Sequence, residues 1–546
     1  MQEAHPTAED GMQNADSLGH SEKPARWCQR IRRAPLFAVV VLIAGLIVGP
    51  PTLSGAEVTA HAAAATAGTY VPLSPVRITD TRAGSGSPNA GKTLGAGITI
   101  NVQVTGVGGV PASGVSAAVM NVTAVNPTAS SFLTVFPAGA TRPVVANLNF
   151  VAGETLANLV TVPIGTQGAV TIYNHIGSTD VVVDVEGYYT TSPQATGLYN
   201  PVNPSRVFGT LQVGGAINAE SSQAVTVTGG TTGVPVEASA VVANVTAAGS
   251  TGPSFLTVYP APATGSPTPP TAANVNFVTG QVIGNRVTVP VGANGQIEVY
   301  NHTGSVNVDV DLYGYYTGAA GELGSAFTPL APTRFTDTRV GTNGTPISPH
   351  SNQSFNFLSD DIPATATALA ANVTVVAGAA PGYLTVYPTT DSSPPVVGDV
   401  NFTAGTVAQD FALAPLSGAA TEIFSSSPDS VNVVIDAFGY FAPPPPAVRV
   451  VASPTSLPAD GTSTSALTVT VTTGSGVAFD DPLSLTTTPS VAGSCGIASA
   501  TGSTNASGQV TSTYTASVTA GTCTITATEA NGGTTGTAVI TQTASS

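Results

Sequence analysis

The sequence predicts an all-β protein: three tandem β-sandwich or barrel-like repeats of about 125 residues, followed by a fourth, different β domain. Composition is the first observation behind this prediction. Only 8 % of the 546 residues are charged, against roughly 25 % in ordinary soluble domains, and 42 % are apolar. The combined enrichment in Ala, Leu, Glu, Lys and Arg that marks helical proteins is missing. The second observation is an internal repeat whose segments all have the character of strands.

The repeat is defined by short segments that recur in the same order. An Asn-Val-Thr segment begins at Asn121, Asn244 and Asn372, at intervals of 123 and 128 residues. Each copy closes on a Gly-aromatic-aromatic segment, at Gly187, Gly314 and Gly439. These segments are rich in Val, Thr and aromatic residues and bounded by Gly, Pro or Asn, which is typical of strands. A unit of this length is a whole domain and not a solenoid repeat.

The last strand of each copy shows which face points to the core. In the first copy, one face carries three valines: Val181, Val183 and Val185. The corresponding residues of the other copies are also apolar, so we expect this face to be buried. The opposite face mixes apolar and acidic residues, as at Val182, Asp184 and Glu186. Such a mixture predicts a half-solvated face of an antiparallel sheet.

We divide the chain into a leader with signal peptide (1–62), β repeats (69–190, 197–317 and 325–442), a Pro linker (443–446) and a last domain (447–546). Basic residues precede an apolar run from Leu36 to Gly49, and Ala60-His61-Ala62 follows as a cleavage site. The run is shorter than the roughly 20 residues that a bilayer requires. We therefore expect a mature chain that does not span a membrane and is secreted, extracellular or associated with the cell wall.

The C-terminal domain contains Leu457-Pro-Ala-Asp-Gly, Thr504-Asn-Ala-Ser-Gly and Ala520-Gly-Thr. With these motifs it resembles the bacterial immunoglobulin-like domain of the invasin and intimin (Big-1) type, although Thr473-Gly-Ser-Gly476 replaces that family's Asp-x-x-Gly. The resemblance implies an immunoglobulin-like sandwich that is non-enzymatic and serves as a module of surface and adhesion proteins. Cys495 and Cys523, the two cysteines that remain after signal cleavage, are expected to pair, because exported domains favour disulfides.

The three repeats resemble a β-repeat unit of exported actinobacterial envelope proteins. The resemblance rests on Arg77-Ile-Thr-Asp-Thr-Arg82, the Asn-Val-Thr segments and the closing Gly-Tyr-Tyr. It implies an envelope setting and carries no established activity.

Charge and motif content exclude several functions. A net charge of −16 argues against nucleic acid and anionic lipid as partners. His175 and His302 occupy equivalent Tyr-Asn-His segments, which we interpret as turns, and a metal site would need several converging ligands. No hydrolase, metalloprotease or phosphate-loop motif is present. We expect no enzyme activity, no cofactor and no metal, with an unrecognised cell-wall or polysaccharide hydrolase left as an alternative.

The few charged residues recur in register. An arginine stands early in each copy and an aspartate stands late, which predicts an ion pair between the first and last strands. These pairs are Arg77–Asp184, Arg206–Asp311 and Arg334–Asp436. Separately, an Asp-Thr-Arg motif occurs at Asp80 and Asp337, while copy two has Gly209-Thr-Leu211. Acid and base disappear together, as expected for a local turn bridge or a shared ligand.

Aromatic residues supply the candidate binding surface. They alternate with core-facing Leu and Val on one strand of each copy: Phe132, Phe136, Phe255, Tyr259, Tyr383 and Tyr387. Aromatic residues on such a face stack on sugar rings or cover a second sheet, and both interpretations remain open. We expect adhesion, wall association or scaffolding in the cell envelope or outside it, with recognition of wall or environmental glycans as the alternative. A cell-wall or extracellular glycan or protein is the expected partner.

Overall fold

The computed structural model describes residues 67–213, 215–320, 322–360, 362–444, 446–473, 476–477, 481–498, 501–530 and 533–544. The predicted leader and signal peptide lies outside the described residues. The described part of the chain is almost entirely β, as predicted, and each repeat contributes eight strands. No described helix is long and apolar enough to cross a membrane.

The strands of repeat 1 are β1 (Tyr70–Asp80), β2 (Thr99–Gln103), β3 (Val115–Val125), β4 (Ser131–Pro137), β5 (Leu148–Phe150), β6 (Thr155–Pro163), β7 (Ala169–Asn174) and β8 (Asp180–Thr190). Those of repeat 2 are β9 (Tyr199–Gly209), β10 (Ser221–Thr226), β11 (Ala240–Ala248), β12 (Ser254–Pro260), β13 (Val275–Phe277), β14 (Ile283–Pro290), β15 (Gln296–Asn301) and β16 (Asn307–Tyr316). Those of repeat 3 are β17 (Ala326–Asp337), β18 (Asn352–Asn356), β19 (Ala368–Val376), β20 (Gly382–Pro388), β21 (Val400–Phe402), β22 (Val407–Pro415), β23 (Ala420–Ser425) and β24 (Asn432–Ala442). Short helices lie at α1 (Thr210–Val213) and, as 3₁₀ turns, at Thr166–Gly168, Ala293–Gly295 and Leu358–Asp360.

Each repeat is a sandwich of two four-stranded antiparallel sheets, which decides between sandwich and barrel. In repeat 1, the inner sheet has the order β1-β8-β3-β6 and the outer sheet the order β2-β7-β4-β5. Repeats 2 and 3 have the same topology. The predicted core valines of β8 lie between the two sheets and are fully buried, because alternate side chains of a strand point to the same face.

The opposite face of each inner sheet is buried as well, so the prediction of a half-solvated face is wrong. Asp184 and Glu186 are each only 1 % exposed. The three inner sheets pack on one another, and a single apolar cluster, here called the central cluster, contains residues from all three repeats. An alternating apolar and acidic strand therefore faces neighbouring repeats where water was expected.

Six aromatic rings form one end of the central cluster: Tyr70, Tyr189, Tyr199, Tyr316, Phe327 and Phe441. They come in pairs that join the first strand of one repeat to the last strand of another. The ring centroids are 4.3 Å apart for Tyr70–Tyr316, 4.2 Å for Phe327–Tyr189 and 4.7 Å for Tyr199–Phe441. These pairs link repeat 1 to 2, 3 to 1 and 2 to 3, so the packing is cyclic.

Hydrogen bonds from the Asn-Val-Thr segments follow the same cycle. The Asn121 side chain donates to the backbone oxygen of Ala273 in repeat 2. Asn244 donates to Gly398 O in repeat 3 at 2.8 Å, and Asn372 donates to Ala146 O in repeat 1 at 2.8 Å. Each repeat therefore contacts the next one through equivalent residues, and the third contacts the first.

The C-terminal domain has strands β25 (Ala447–Ser453), β26 (Ser456–Pro458), β27 (Thr464–Thr473), β28 (Gly476–Val477), β29 (Pro482–Pro489), β30 (Ile497–Ala498), β31 (Thr501–Ser503), β32 (Gln509–Thr515), β33 (Gly521–Glu529) and β34 (Thr535–Thr543). They form two five-stranded sheets around a separate core. Cys495 and Cys523 form the predicted disulfide, with the Cα atoms 5.0 Å apart. The bond closes a 28-residue separation, for which chain-entropy models give about 3–4 kcal/mol.

Replacing Phe441 with Ala should destabilise all three repeats together, because its ring contacts Tyr189 of repeat 1 and Tyr199 of repeat 2. We expect a loss of about 3–5 kcal/mol, measured by calorimetry of the full chain. Val144→Ala is the control, since that side chain is 83 % exposed and should leave the transition unchanged. Two repeats that kept their original midpoint in the Phe441 variant would contradict a shared core.

Candidate binding grooves and buried polar groups between repeats

The three predicted Arg–Asp pairs lie between the first and last strands of each repeat. Arg77 Nε donates to Asp184 Oδ1 at 2.9 Å and Nη2 donates to Oδ2 at 3.1 Å. The same two-bond geometry joins Arg206 to Asp311 and Arg334 to Asp436. These residues come together because the strand register places them directly opposite each other.

Two of these aspartates, Asp184 and Asp436, also bind the neighbouring repeat. Asp184 Oδ2 accepts from Ala273 N of repeat 2 at 3.2 Å, and Asp436 Oδ2 accepts from Ala146 N of repeat 1 at 3.1 Å. Burial raises the pKa of Asp184, although Arg77 opposes that change. The pairs therefore hold strands and repeats in place, which is a structural role.

The Asp-Thr-Arg motif forms a local bridge. Arg82 Nε lies 2.9 Å from Asp80 Oδ1 and Nη2 lies 2.6 Å from Oδ2, and Asp337 and Arg339 repeat this geometry. Burial alone would raise the pKa of Asp80, but hydrogen bonds from Arg82 outweigh it and the pKa lies below its usual value. Copy two lacks this motif. There, Asp309 Oδ2 lies 2.9 Å from Arg206 Nη1, so Arg206 has a second carboxylate partner besides Asp311.

The aromatic face predicted to bind ligand is divided in two. Phe136, Tyr259 and Tyr387 are buried, which corrects the expectation of exposure for these three. The chain after the strand folds back over them, since Thr134 Oγ1 donates to Val145 O at 2.7 Å. The remaining three rings are partly exposed: Phe132, Phe255 and Tyr383. The Leu and Val residues between them face the core as predicted.

The histidines stack on two of these exposed rings. The His302 ring lies 4.7 Å from the Phe255 ring at an interplanar angle of 22°, and its Nδ1 is 3.4 Å from Tyr300 Oη. In repeat 1, the His175 and Phe132 ring centroids are likewise 4.7 Å apart, and His175 Nδ1 is 3.3 Å from Tyr173 Oη. In copy three, Ser426 makes the equivalent backbone hydrogen bond and the stack is absent.

A groove of about 410 Å³ lies at the boundary of repeats 1 and 2. Repeat 1 contributes Arg77 and Arg82, and repeat 2 contributes Phe255, Tyr300 and His302. The Arg82 side chain is 48 % exposed. Sequence reasoning treated the Asp-Thr-Arg and Tyr-Asn-His segments separately, because they stand about 220 residues apart in the chain. No single copy lacks both motifs, so the sequence contains no signal that the two segments meet.

Three equivalent polar side chains, Asn158, Asn285 and Asp410, form a ring where the three repeats meet. The backbone N–H of the residue that follows each one donates to the next side chain: Leu159 to Asn285, Arg286 to Asp410 and Phe411 to Asn158. Asn285 and Asn158 also donate at 2.8 Å to the side-chain oxygens of Asn121 and Asn372. Asp410 cannot do so as a carboxylate, and both Asp410 Oδ2 and the equivalent Asn244 Oδ1 have no hydrogen-bond partner within the described residues.

Equivalence with the Asn285–Asn121 and Asn158–Asn372 contacts assigns Asn244 to Asp410, so a proton on Asp410 would supply the missing donor. Burial raises the pKa of Asp410 to about 7, although Arg286 opposes this. Burial likewise raises the pKa of Glu186 to about 8, while Thr288 N and Asn274 Nδ2 donate to its carboxylate at 3.0 and 2.6 Å. Both carboxyl groups lie at boundaries between repeats and outside the groove.

Arg286 is fully buried between repeats 2 and 3. It donates to Asp399 Oδ1 and to Phe411 O, and its guanidinium lies 3.6 Å above the Tyr313 ring. Leu159 and Phe411 stand at the equivalent positions of the other repeats, and Asn147 and Asn274 stand where repeat 3 has Asp399. The ion pair is therefore particular to one boundary.

Among the described residues, no group of three or more His, Cys, Asp or Glu side chains is placed to hold a metal ion. Comparison with known proteins gave no matching family model and no matching curated protein.

Replacing Arg286 with Leu should cost about 3–5 kcal/mol, because the Asp399 carboxylate would remain buried without its cation. Adding Asp399→Asn should recover most of that loss, since the double variant reproduces the Leu159 and Asn274 pattern at the boundary of repeats 1 and 2. Chemical denaturation of the full chain measures the free energy of unfolding. Losses that simply add in the double variant would contradict the coupling.

Stability should fall as pH rises from about 5 to 8. Asp410 and Glu186 have folded pKa values raised above their unfolded values near 4, so their contribution is complete below pH 4 and lost as pH rises through 7 to 8. Asp410→Asn should remove roughly 2–4 kcal/mol of this dependence, measured by unfolding at several pH values.

Asp460→Asn is the control for the pH series. Hydrogen bonds from Ser463 hold the pKa of the exposed Asp460 far below its usual value, so its charge is constant over this range. An Asp410→Asn protein with the pH slope of the parent would show that the buried carboxyl does not carry the proton.

Proposed function

We propose that this chain is an exported, non-enzymatic protein of the cell envelope or its surroundings, which acts in adhesion, wall association or scaffolding. One observation carries the proposal: the buried ionisable groups of the repeats hold the repeats together and do not converge in a cleft. Arg286, Asp399, Asp410 and Glu186 are all engaged at boundaries between repeats. Groups used in this way stabilise a rigid body and leave little for acid–base or nucleophilic chemistry.

Three further features support an extracellular setting. The Cys495–Cys523 disulfide is compatible with an oxidising compartment. The apolar run at Leu36 to Gly49 and the site at Ala62 support export. The resemblance of the C-terminal domain to immunoglobulin-like surface modules supports the same assignment.

A second candidate function is recognition of carbohydrate. The stacked Phe255 and His302 rings favour it, because they lie beside the half-exposed Arg82 in one groove. Ligand sites combine apolar or aromatic surface with a few fixed polar groups. This candidate is compatible with the first, since a wall-associated protein needs a ligand in the wall.

Cell fractionation tests the proposed setting. We expect the protein in the wall fraction or the medium, as a mature form that lacks residues 1–62. Purified mature protein should also sediment with isolated cell walls, while heat-unfolded protein serves as the control for nonspecific adsorption. A predominantly cytoplasmic protein would overturn the proposal, and hydrolysis of wall polymer by the purified protein would replace it with an enzymatic function.

A further inference from the structure

The groove between repeats 1 and 2 is assembled from two chain segments that belong to different repeats. Repeat 1 supplies the Asp80–Arg82 bridge, and repeat 2 supplies the stacked Phe255 and His302 with Tyr300. The hydrogen bond from Asn121 to Ala273 O fixes the two repeats against each other beside the groove. Neither repeat has the whole groove by itself.

The cyclic packing determines which segments meet at the other boundaries. Asn372 and Ala146 join repeats 3 and 1 as Asn121 and Ala273 join repeats 1 and 2, and Ala146 N also donates to Asp436. The equivalence of these contacts assigns Arg339 of repeat 3 the position beside the Phe132, Tyr173 and His175 segment that Arg82 has beside the matching segment of repeat 2. Asn244 and Gly398 join repeats 2 and 3 in the same way, so the equivalent positions at that boundary are those of Leu211 and Ser426.

The distribution of the two motifs follows these boundaries and not the repeats. Copy two has Tyr-Asn-His without Asp-Thr-Arg, and copy three has Asp-Thr-Arg without Tyr-Asn-His. Within a single repeat, the presence of one motif does not predict the presence of the other. Taken boundary by boundary, both are present between repeats 1 and 2 and between 3 and 1, and both are missing between 2 and 3. A purely local role for each motif does not explain why they are lost at the same boundary.

The groove combines polar and aromatic groups without net charge. Arg77 and Arg82 each have a carboxylate partner, Asp184 and Asp80, so the four groups cancel. Arg82, whose partner Asp80 is buried, presents half-exposed guanidinium donors, and the Tyr300 hydroxyl in the same groove can donate or accept, which suits hydroxyl groups. The Phe255–His302 stack offers an aromatic surface for the C–H face of a sugar ring. The chain's net charge of −16 further disfavours an anionic ligand.

We propose that the chain carries two binding sites for neutral saccharide, at the boundaries of repeats 1 and 2 and of repeats 3 and 1, and none at the boundary of repeats 2 and 3. The proposal rests on the carbohydrate-recognition candidate above and adds the location, number and ligand class. The two sites differ: Arg142 lies 4.0 Å above the Tyr173 ring, and His175 is less exposed than His302. The first site therefore binds more tightly.

The variants for the test are taken from the boundary without a site. His302→Ser and His175→Ser introduce the residue that stands at Ser426. Arg82→Leu introduces the residue that stands at Leu211 and is always made together with Asp80→Gly, because copy two lacks both partners of the bridge. An array of short neutral oligosaccharides identifies a probe, and calorimetric titration of the full mature chain counts the sites. We expect two sites in the parent, and a loss of at least about tenfold in affinity at a site that lacks either partner.

Crossed double variants give the decisive comparison. Arg82→Leu with His302→Ser alters one groove twice, so one site should remain. Arg82→Leu with His175→Ser alters both grooves, so no site should remain at the probe concentrations that saturate the parent. Leu211→Ala is the control at the third boundary and should leave both sites intact. Circular dichroism and the melting temperature establish that each variant is folded.

Three results would overturn the proposal. One is a parent protein that binds no neutral oligosaccharide on the array. Another is a remaining site in the Arg82 and His175 variant, with none in the Arg82 and His302 variant. The third is a site that Leu211→Ala removes. Wall sedimentation separates this proposal from the general one: if the parent binds no neutral oligosaccharide but still sediments with walls, only the saccharide sites are rejected and wall association stands.

Discussion

Burial of the second face of each inner sheet is the constraint on which the rest of the structure depends. A four-stranded sheet with two buried faces needs two partners, and here the outer sheet covers one face and the neighbouring repeats cover the other. Paired aromatic rings and equivalent asparagine hydrogen bonds close the contact from the third repeat back to the first. Since the interface is head-to-tail and the rotation closes, three repeats complete it.

The repeats are related but not identical, and their differences are concentrated at these contacts. Glu186 binds Asn274 between repeats 1 and 2, whereas Arg286 and Asp399 pair between repeats 2 and 3. At the equivalent positions, repeat 3 presents Phe438 and Phe411 to repeat 1. Each boundary thus has its own complement of charge and apolar surface, and a wrong neighbour would leave a charge buried without a partner. The boundary between repeats 1 and 2 also has a groove in which the half-exposed Arg82 of one repeat lies beside the aromatic rings of the next.

The strands, the core face and the Arg–Asp pairs were accessible from the sequence because they depend on local pattern and on strand register. Three aligned copies show the period-two alternation three times over, and an arginine and an aspartate that recur together indicate a contact. The half-solvated face was mispredicted for a physical reason. Val182, Asp184 and Glu186 would alternate in the same way beside water or beside backbone N–H groups of another repeat, since both satisfy a carboxylate.

The sequence by itself determined the three-copy architecture, the strands and the disulfide, since each follows from repetition, periodicity or composition, while the two-sheet arrangement decided between sandwich and barrel. Only the tertiary structure decided which copy meets which. The Asp-Thr-Arg and Tyr-Asn-His segments have a meaning as a pair only after cyclic packing places Arg82 of one repeat in a groove with His302 of the next. No local pattern encodes that contact, because it is set by how three covered sheets share one core.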